Sequence, residues 1–215
     1  MSKEFWFITI IWAVFPGSLA LGYQMNIPNC SRAALLRIDL VSDRFTDWKD
    51  ASIGNYVMYY DLKEPSAYVF RVVRNDSIKG YVTVSARDDY YPVFEYSLGV
   101  PPSMREKSVR DMLEEAGIKA TKLLKYYYFG GLEYFVAYLT DAMDTIIVSL
   151  NRGALVSKDV LDSLQVHHER RAQPQKARKF WKDFILSKEQ KKVHMDGAIL
   201  SGVEAYTWYR GCGPT

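Results

Sequence analysis

Residues 55–98 constrain the fold most. They break into short runs of aromatic and β-branched residues separated by turn-forming clusters. Residues 56–60 are aromatic and extended, and Lys63, Glu64, Pro65 and Ser66 close the run. Residues 67–73 follow, then a polar turn over 74–79, then a returning run from Gly80 to Ser85. Residues 93–97 form another run, and Pro101 with Pro102 ends the stretch. Runs of this length and composition bounded by polar turns predict antiparallel strands joined as hairpins.

A sheet of this kind needs a cover for one face. Ala34, Ile38, Val41, Phe45 and Trp48 recur at spacings of four, three, four and three, which is one apolar stripe on a helix. Ser31 stands where a helix cap is expected. Arg37, Asp43, Arg44 and Lys49 fall off the stripe. The helix is expected to lie on strands containing Val69, Phe70, Val82 and Val84.

Further along, residues 108–115 predict a short helix stopped at Gly117. Residues 122–140 predict a hairpin around Gly130-Gly131, loaded with Tyr126, Tyr127, Tyr128, Tyr134 and Tyr138. These rings are read as cross-strand packing. Residues 145–157 add a last hairpin turning at Asn151-Arg152-Gly153. The fold class is therefore α+β, an antiparallel sheet with a packed N-terminal helix, over residues 24–165. No repeat of 20–50 residues is visible.

The flanks differ in character. Lys3 precedes an apolar run over residues 5–15, followed by Pro16-Gly17 and the small-residue exit Ser18-Leu19-Ala20. A basic start, a short apolar run and a small-residue exit make a secretory signal pattern. Residues 1–23 are thus expected to be a signal peptide or, uncleaved, a membrane anchor through residues 5–21, and the protein is expected to be exported. Export would make Asn29-Cys30-Ser31 and Asn75-Asp76-Ser77 formal glycosylation acceptors. Residues 166–200 are expected to form a basic, exposed linker and a connecting helix. The linker contains Glu169-Arg170-Arg171 and Gln173-Pro174, and the helix carries an apolar face of Ala177, Phe180, Trp181, Phe184 and Ile185.

The final stretch, residues 201–215, carries the chemistry. Cys212 stands between Gly211 and Gly213 and before Pro214 and Thr215. A thiol works as a nucleophile in its thiolate form, and a helix N-terminus favours that form. Pro214 suits the first turn of such a helix. This Gly-Cys-Gly-Pro-Thr run, after the aromatic-rich residues 202–209, resembles the active-site start of papain-like cysteine peptidases of the bacteriocin-processing-peptidase-like and streptopain types. Independently, residues 31–98 resemble the pro-region of streptopain-type peptidases, in which a helix packs on a curved antiparallel sheet.

The resemblance implies that Cys212 is the nucleophile and that residues 24–165 are an inhibitory or chaperoning pro-domain with a pro-domain or cystatin-like plan. It implies that the catalytic His and its Asn or Asp partner follow the cysteine, so the chain to Thr215 is expected to be an inactive precursor segment. Tyr206 stands where many papain-like enzymes place an oxyanion-stabilising Gln. The partner expected is the catalytic domain of a truncated precursor or a separate cysteine peptidase. The alternative is a free-standing exported or anchored binding and inhibitor module.

Charge and metal-ligand patterns limit other classes. The net charge of +3 gathers between residues 167 and 192, where nine Lys or Arg meet three Asp or Glu. The remainder is slightly acidic, which argues against nucleic-acid binding. Cys30 and Cys212 lie far apart, and His167, His168 and His194 sit in the basic segment, where they are expected to be solvated. Neither pattern supports a metal site, and no cofactor is expected. Asp88-Asp89 and Glu114-Glu115 are read as solvated surface pairs.

Overall fold

The computed structural model describes residues 22–185. The first helix, α1 (Ile27–Val41), begins a turn earlier than Ser31 suggests. Its cap is Asn26, whose side-chain oxygen accepts the Asn29 N–H at 3.0 Å, and Pro28 occupies the first turn. Cys30, Ala33, Ala34, Ile38 and Val41 form its buried face. The helix ends before the stripe does. Phe45 and Trp48 reach the same core through a short 3-10 turn, Thr46–Trp48. There the Trp48 indole donates to the Lys79 carbonyl at 2.8 Å.

Eight strands follow: β1 (Ser52–Tyr60), β2 (Pro65–Arg74), β3 (Ser77–Ser85), β4 (Val93–Ser97), β5 (Ala120–Tyr128), β6 (Tyr134–Thr140), β7 (Thr145–Ser149) and β8 (Ala154–Leu155). Between β4 and β5 lies α2 (Glu106–Glu115), which ends at Ala116 before Gly117 at φ +75°. The strands form one sheet in the order β4-β3-β2-β1-β5-β6-β7-β8. Each pair is antiparallel except β1 and β5, which run parallel with the single register pair Tyr60↔Tyr127. The plan is a helix followed by a four-strand meander, used twice. The two first strands meet at the centre.

The alternation of side chains along β2 separates two cores. Tyr68, Phe70 and Val72 face α1 together with Val82, Val84 and Trp48. Ala67 and Val69 face the other way, with Tyr59, Tyr81, Tyr128, Tyr134, Tyr138 and the α2 residues Val109 and Leu113. The expected strand partners of α1 are therefore corrected at Val69, which belongs to the opposite face. The expected tyrosine packing in the β5–β6 hairpin is present: Tyr128, Tyr134 and Tyr138 are buried.

The C-terminal part of the described chain departs most from expectation. Helix α3 (Lys158–Arg170) runs through the anticipated boundary at 165/166, and α4 (Pro174–Phe180) follows after only residues 171–173. The segment is helical because Pro174 opens a new first turn where its missing N–H costs nothing. The connection is fastened, not loose: Gln173 N–H donates to the Asp89 carbonyl at 2.9 Å, and the Arg171 guanidinium lies against Gly130 and the Phe129 carbonyl. A π-turn, Trp181–Ile185, continues α4. Ala177 and Trp181 are buried, Trp181 in the α1 core, and the Trp181 indole donates to the Tyr90 carbonyl at 3.0 Å. The amphipathic helix thus docks on the sheet module itself.

Candidate functional site

Cys212 and the signal-like residues 1–21 lie outside the described residues, as does His194. The chemistry that the described residues gather is elsewhere.

Ser66, His168 and Asp61 come together where α3 crosses the start of β2. His168 Nε2 lies 3.4 Å from Ser66 Oγ, and Ser66 donates its own hydroxyl to the Tyr128 carbonyl at 2.9 Å. These are the residue types of a hydrolase triad, but their geometry is that of a core. Ser66, His168 and Asp61 are all buried. The Ser66 proton is committed to a backbone carbonyl, so no nucleophile is offered to a substrate. His168 stacks on Tyr90 with ring centroids 4.7 Å apart. Burial holds its pKa down at about 4. The expectation of a solvated histidine holds for His167, which is exposed, and is overturned for His168. A polar residue buried at this point is tolerated because each polar atom has a partner.

Beside this group lies an ion network around Arg87. Its guanidinium meets Glu64, Asp61 at 3.7 Å and Asp89 at 2.5 Å. Asp88 pairs with Arg178 of α4 at 2.9 Å. Asp89 is buried, which corrects the reading of Asp88-Asp89 as solvated. The burial is possible because Arg87 reaches Asp89 through two nitrogens, at 3.0 and 2.5 Å.

A third cluster surrounds Glu95 on β4. Its carboxylate accepts the hydroxyls of Tyr134 at 2.5 Å, Tyr81 at 3.3 Å and Tyr128 at 3.3 Å, and the Leu132 N–H at 3.2 Å. Tyr134 also meets Thr83 Oγ1 at 2.6 Å. Desolvation raises the Glu95 pKa, and the hydrogen bonds oppose that rise. The Leu132 it holds sits at φ +67°, in the left-handed region that a leucine adopts only at a cost. Asn151 holds the Leu132 carbonyl, and Arg105 holds Asn151 at 2.7 Å. Three loops are stitched together here.

Cys30 is buried, and burial pushes its thiol up to about 12, so it is a structural residue. Among the described residues no group of three or more His, Cys, Asp or Glu could hold a metal. No described helix is long and apolar enough to cross a membrane. Two open depressions mark the surface. One, of ≈ 560 Å³, is an apolar groove between α3 and β7, lined among others by Leu62, Tyr127, Ile147, Leu155 and Leu161. The other, of ≈ 440 Å³, lies at the end of α1 beside Asp39, Asp43 and Asp50. Neither is lined by a cysteine or a histidine.

The buried groups were not legible from sequence. Two signals existed: the spacing of four and three that joins Leu161, Gln165 and His168, and the lone acid of the aromatic strand β4. No family model matches the chain, and no curated protein or solved structure is significantly similar to it.

Proposed function

We propose that the protein is the signal and pro-region part of a secreted papain-like cysteine peptidase precursor, with Cys212 as the nucleophile of the peptidase unit that starts near residue 201. The sheet module would restrain or chaperone that unit. What carries the reading is the agreement of two separate stretches, the residues around Cys212 and the strand-rich residues 31–98, on one family. The first helix-and-meander unit, α1 to β4, a helix packed on an antiparallel sheet, supports this reading. A base is still needed for acyl transfer through a thiolate. His168 is enclosed by the fold and is not a candidate for that base.

A second reading, a free-standing inhibitor module, is favoured by the docking of Trp181 into the α1 core. A module that already covers its own connecting helix can act on a peptidase supplied separately.

Inhibition of a cysteine peptidase is the action that the two readings have in common. The test adds the purified protein, in molar excess, to a panel of streptopain-type peptidases turning over a fluorogenic peptide. Saturable inhibition of at least one, unchanged in Cys212→Ser, is expected. Full activity across the panel overturns the proposal.

A further inference from the structure

Helix α3 is held to the sheet by few anchors. Its buried side chains are Leu161, Gln165 and His168. Two of the three are polar, and Leu164 adds a partly buried apolar contact beside Leu161, so its docking depends on hydrogen-bond partners as well as on apolar area. Gln165 accepts the Leu62 N–H at 3.0 Å. His168 enters a cage of rings: Tyr90 stacked at 4.7 Å, Phe94 at 6.3 Å and Phe129 at 6.4 Å. With its hydrogen given to Tyr128, Ser66 Oγ is left to accept from the imidazole. The Tyr90 hydroxyl ties the His168 carbonyl at 3.0 Å.

A second proton on this ring would find no free counter-ion. The charged groups around it come from three places. The β1–β2 loop offers Asp61, Lys63 and Glu64, the β3–β4 loop offers Arg87 and Asp89, and α3 with its C-cap offers Glu169 and Arg171. Asp61 Oδ1 already accepts the Lys63 and Glu64 N–H groups at 2.7 and 2.8 Å, and Oδ2 faces Gln165 Nε2 and Arg87. Glu64 and Asp89 are taken by Arg87, and Glu169 by Lys63 and Gln165. Arg87 and Arg171 repel a charged imidazole.

We propose that His168 is an acid-sensitive latch, whose neutral ring pins α3 to the sheet and whose protonation lets α3 lift while β1 to β4 remain folded. The strap stays tethered at both ends, by β8 before it and by the Trp181 anchor after it. Lifting uncovers Phe129 and Phe135, which pack with Leu161, and so extends the apolar groove beside α3. The direction follows from linkage. Burial first, then the two arginines, lower the folded-state pKa to about 4 against an ordinary 6.5, while Asp61 and the Phe129 backbone pull the other way. The latch therefore contributes fully above about pH 6.5 and is lost as pH falls through about 4. This inference stands apart from the proposed function.

The test is amide hydrogen exchange of the full chain, read by mass spectrometry and corrected for intrinsic rates. Protection of residues 158–170 relative to β2 and β3 is expected to fall by up to about tenfold per pH unit between about pH 6 and 4. In His168→Phe, which keeps the ring stack without a titrating nitrogen, that fall is expected to vanish. Should this variant not fold, NMR of ring-labelled histidine in the native chain reads the same latch. A His168 ring titrating at the ordinary histidine value overturns the proposal. So does α3 protection that tracks β2 and β3 at every pH, or an unchanged pH response in His168→Phe.

Discussion

Tyr134 on β6 donates its hydroxyl to Glu95 on β4 at 2.5 Å, although four strands lie between them in the sheet order. Neighbouring strands stand about 4.8 Å apart, so in a flat sheet the two would be separated by roughly 24 Å. The contact exists because the sheet curls around the tyrosine core under α2. Glu95 closes the curl and at the same time holds the left-handed Leu132 of the β5–β6 turn.

Removing the hydroxyl in Tyr134→Phe takes a donor from Glu95 and a partner from Thr83. The expected cost is about 1–3 kcal/mol in denaturant unfolding. A neutral result would mean that the hydroxyl is not shared between the two side chains.

The Glu95 pKa is raised mainly by desolvation. For a carboxyl shifted upward, the contribution to stability is full below its unfolded value and is lost as pH rises through the folded one. Glu95→Gln cannot ionise. Its stability relative to the parent should therefore increase as pH is raised above about 4.5. Thermal melts of both proteins across pH check this, and a difference that shrinks with rising pH would contradict it.

Gly80 sits at φ +146° with the Ser97 carbonyl and the Trp48 ring where a side chain would begin. A Cβ there would lie 2.1 Å from Ser97 O and 2.9 Å from the ring. The carbonyl belongs to β4 and cannot step aside without breaking the edge strand. Gly80→Ala is expected to cost at least about 2 kcal/mol, read as a lowered unfolding midpoint. Near-parental stability would show that β4 does not press on this turn.

Residues 171–173 are tied to Asp89 and Phe129. Proteases need several residues of locally unfolded backbone, so a Lys/Arg-specific protease should not make its first cuts between residues 170 and 179. Mass analysis of early fragments at neutral pH tests this. First cleavage in that window would mean that α3 and α4 are not docked as described.

Thiol reactivity separates the two cysteines. Cys30 is buried and its thiol is pushed up to about 12. Native Cys212→Ser protein should therefore show no fast reaction with a chromogenic disulfide at pH 8, and should react once denaturant is added. Rapid labelling without denaturant would place Cys30 at the surface.

The strands were legible because period-two runs and turn residues are local signals, and α2 and the last hairpin followed the same rule. The start of α1 lies ahead of Ser31 because Asn26 and Pro28 outcompete Ser31 as a starting signal. The parallel seam between β1 and β5 was not legible, since pairing between distant segments leaves no mark in periodicity. The burial of His168 and Asp89 was not legible for a related reason. A charged or basic neighbourhood suggests solvent, and only the folded partners Tyr90, Ser66 and Arg87 make their burial affordable.

The single register pair between β1 and β5 also bears on the order of folding. Within each half, the pairings join consecutive strands and close short loops, which form quickly. The seam instead joins distant segments, and the Glu95–Tyr134 contact spans 39 positions. The two meanders should therefore assemble separately, the first while the second is still leaving the ribosome. The late step would be the joining of the halves, with mutations at Tyr60, Tyr127 and Glu95 slowing folding more than mutations inside either hairpin.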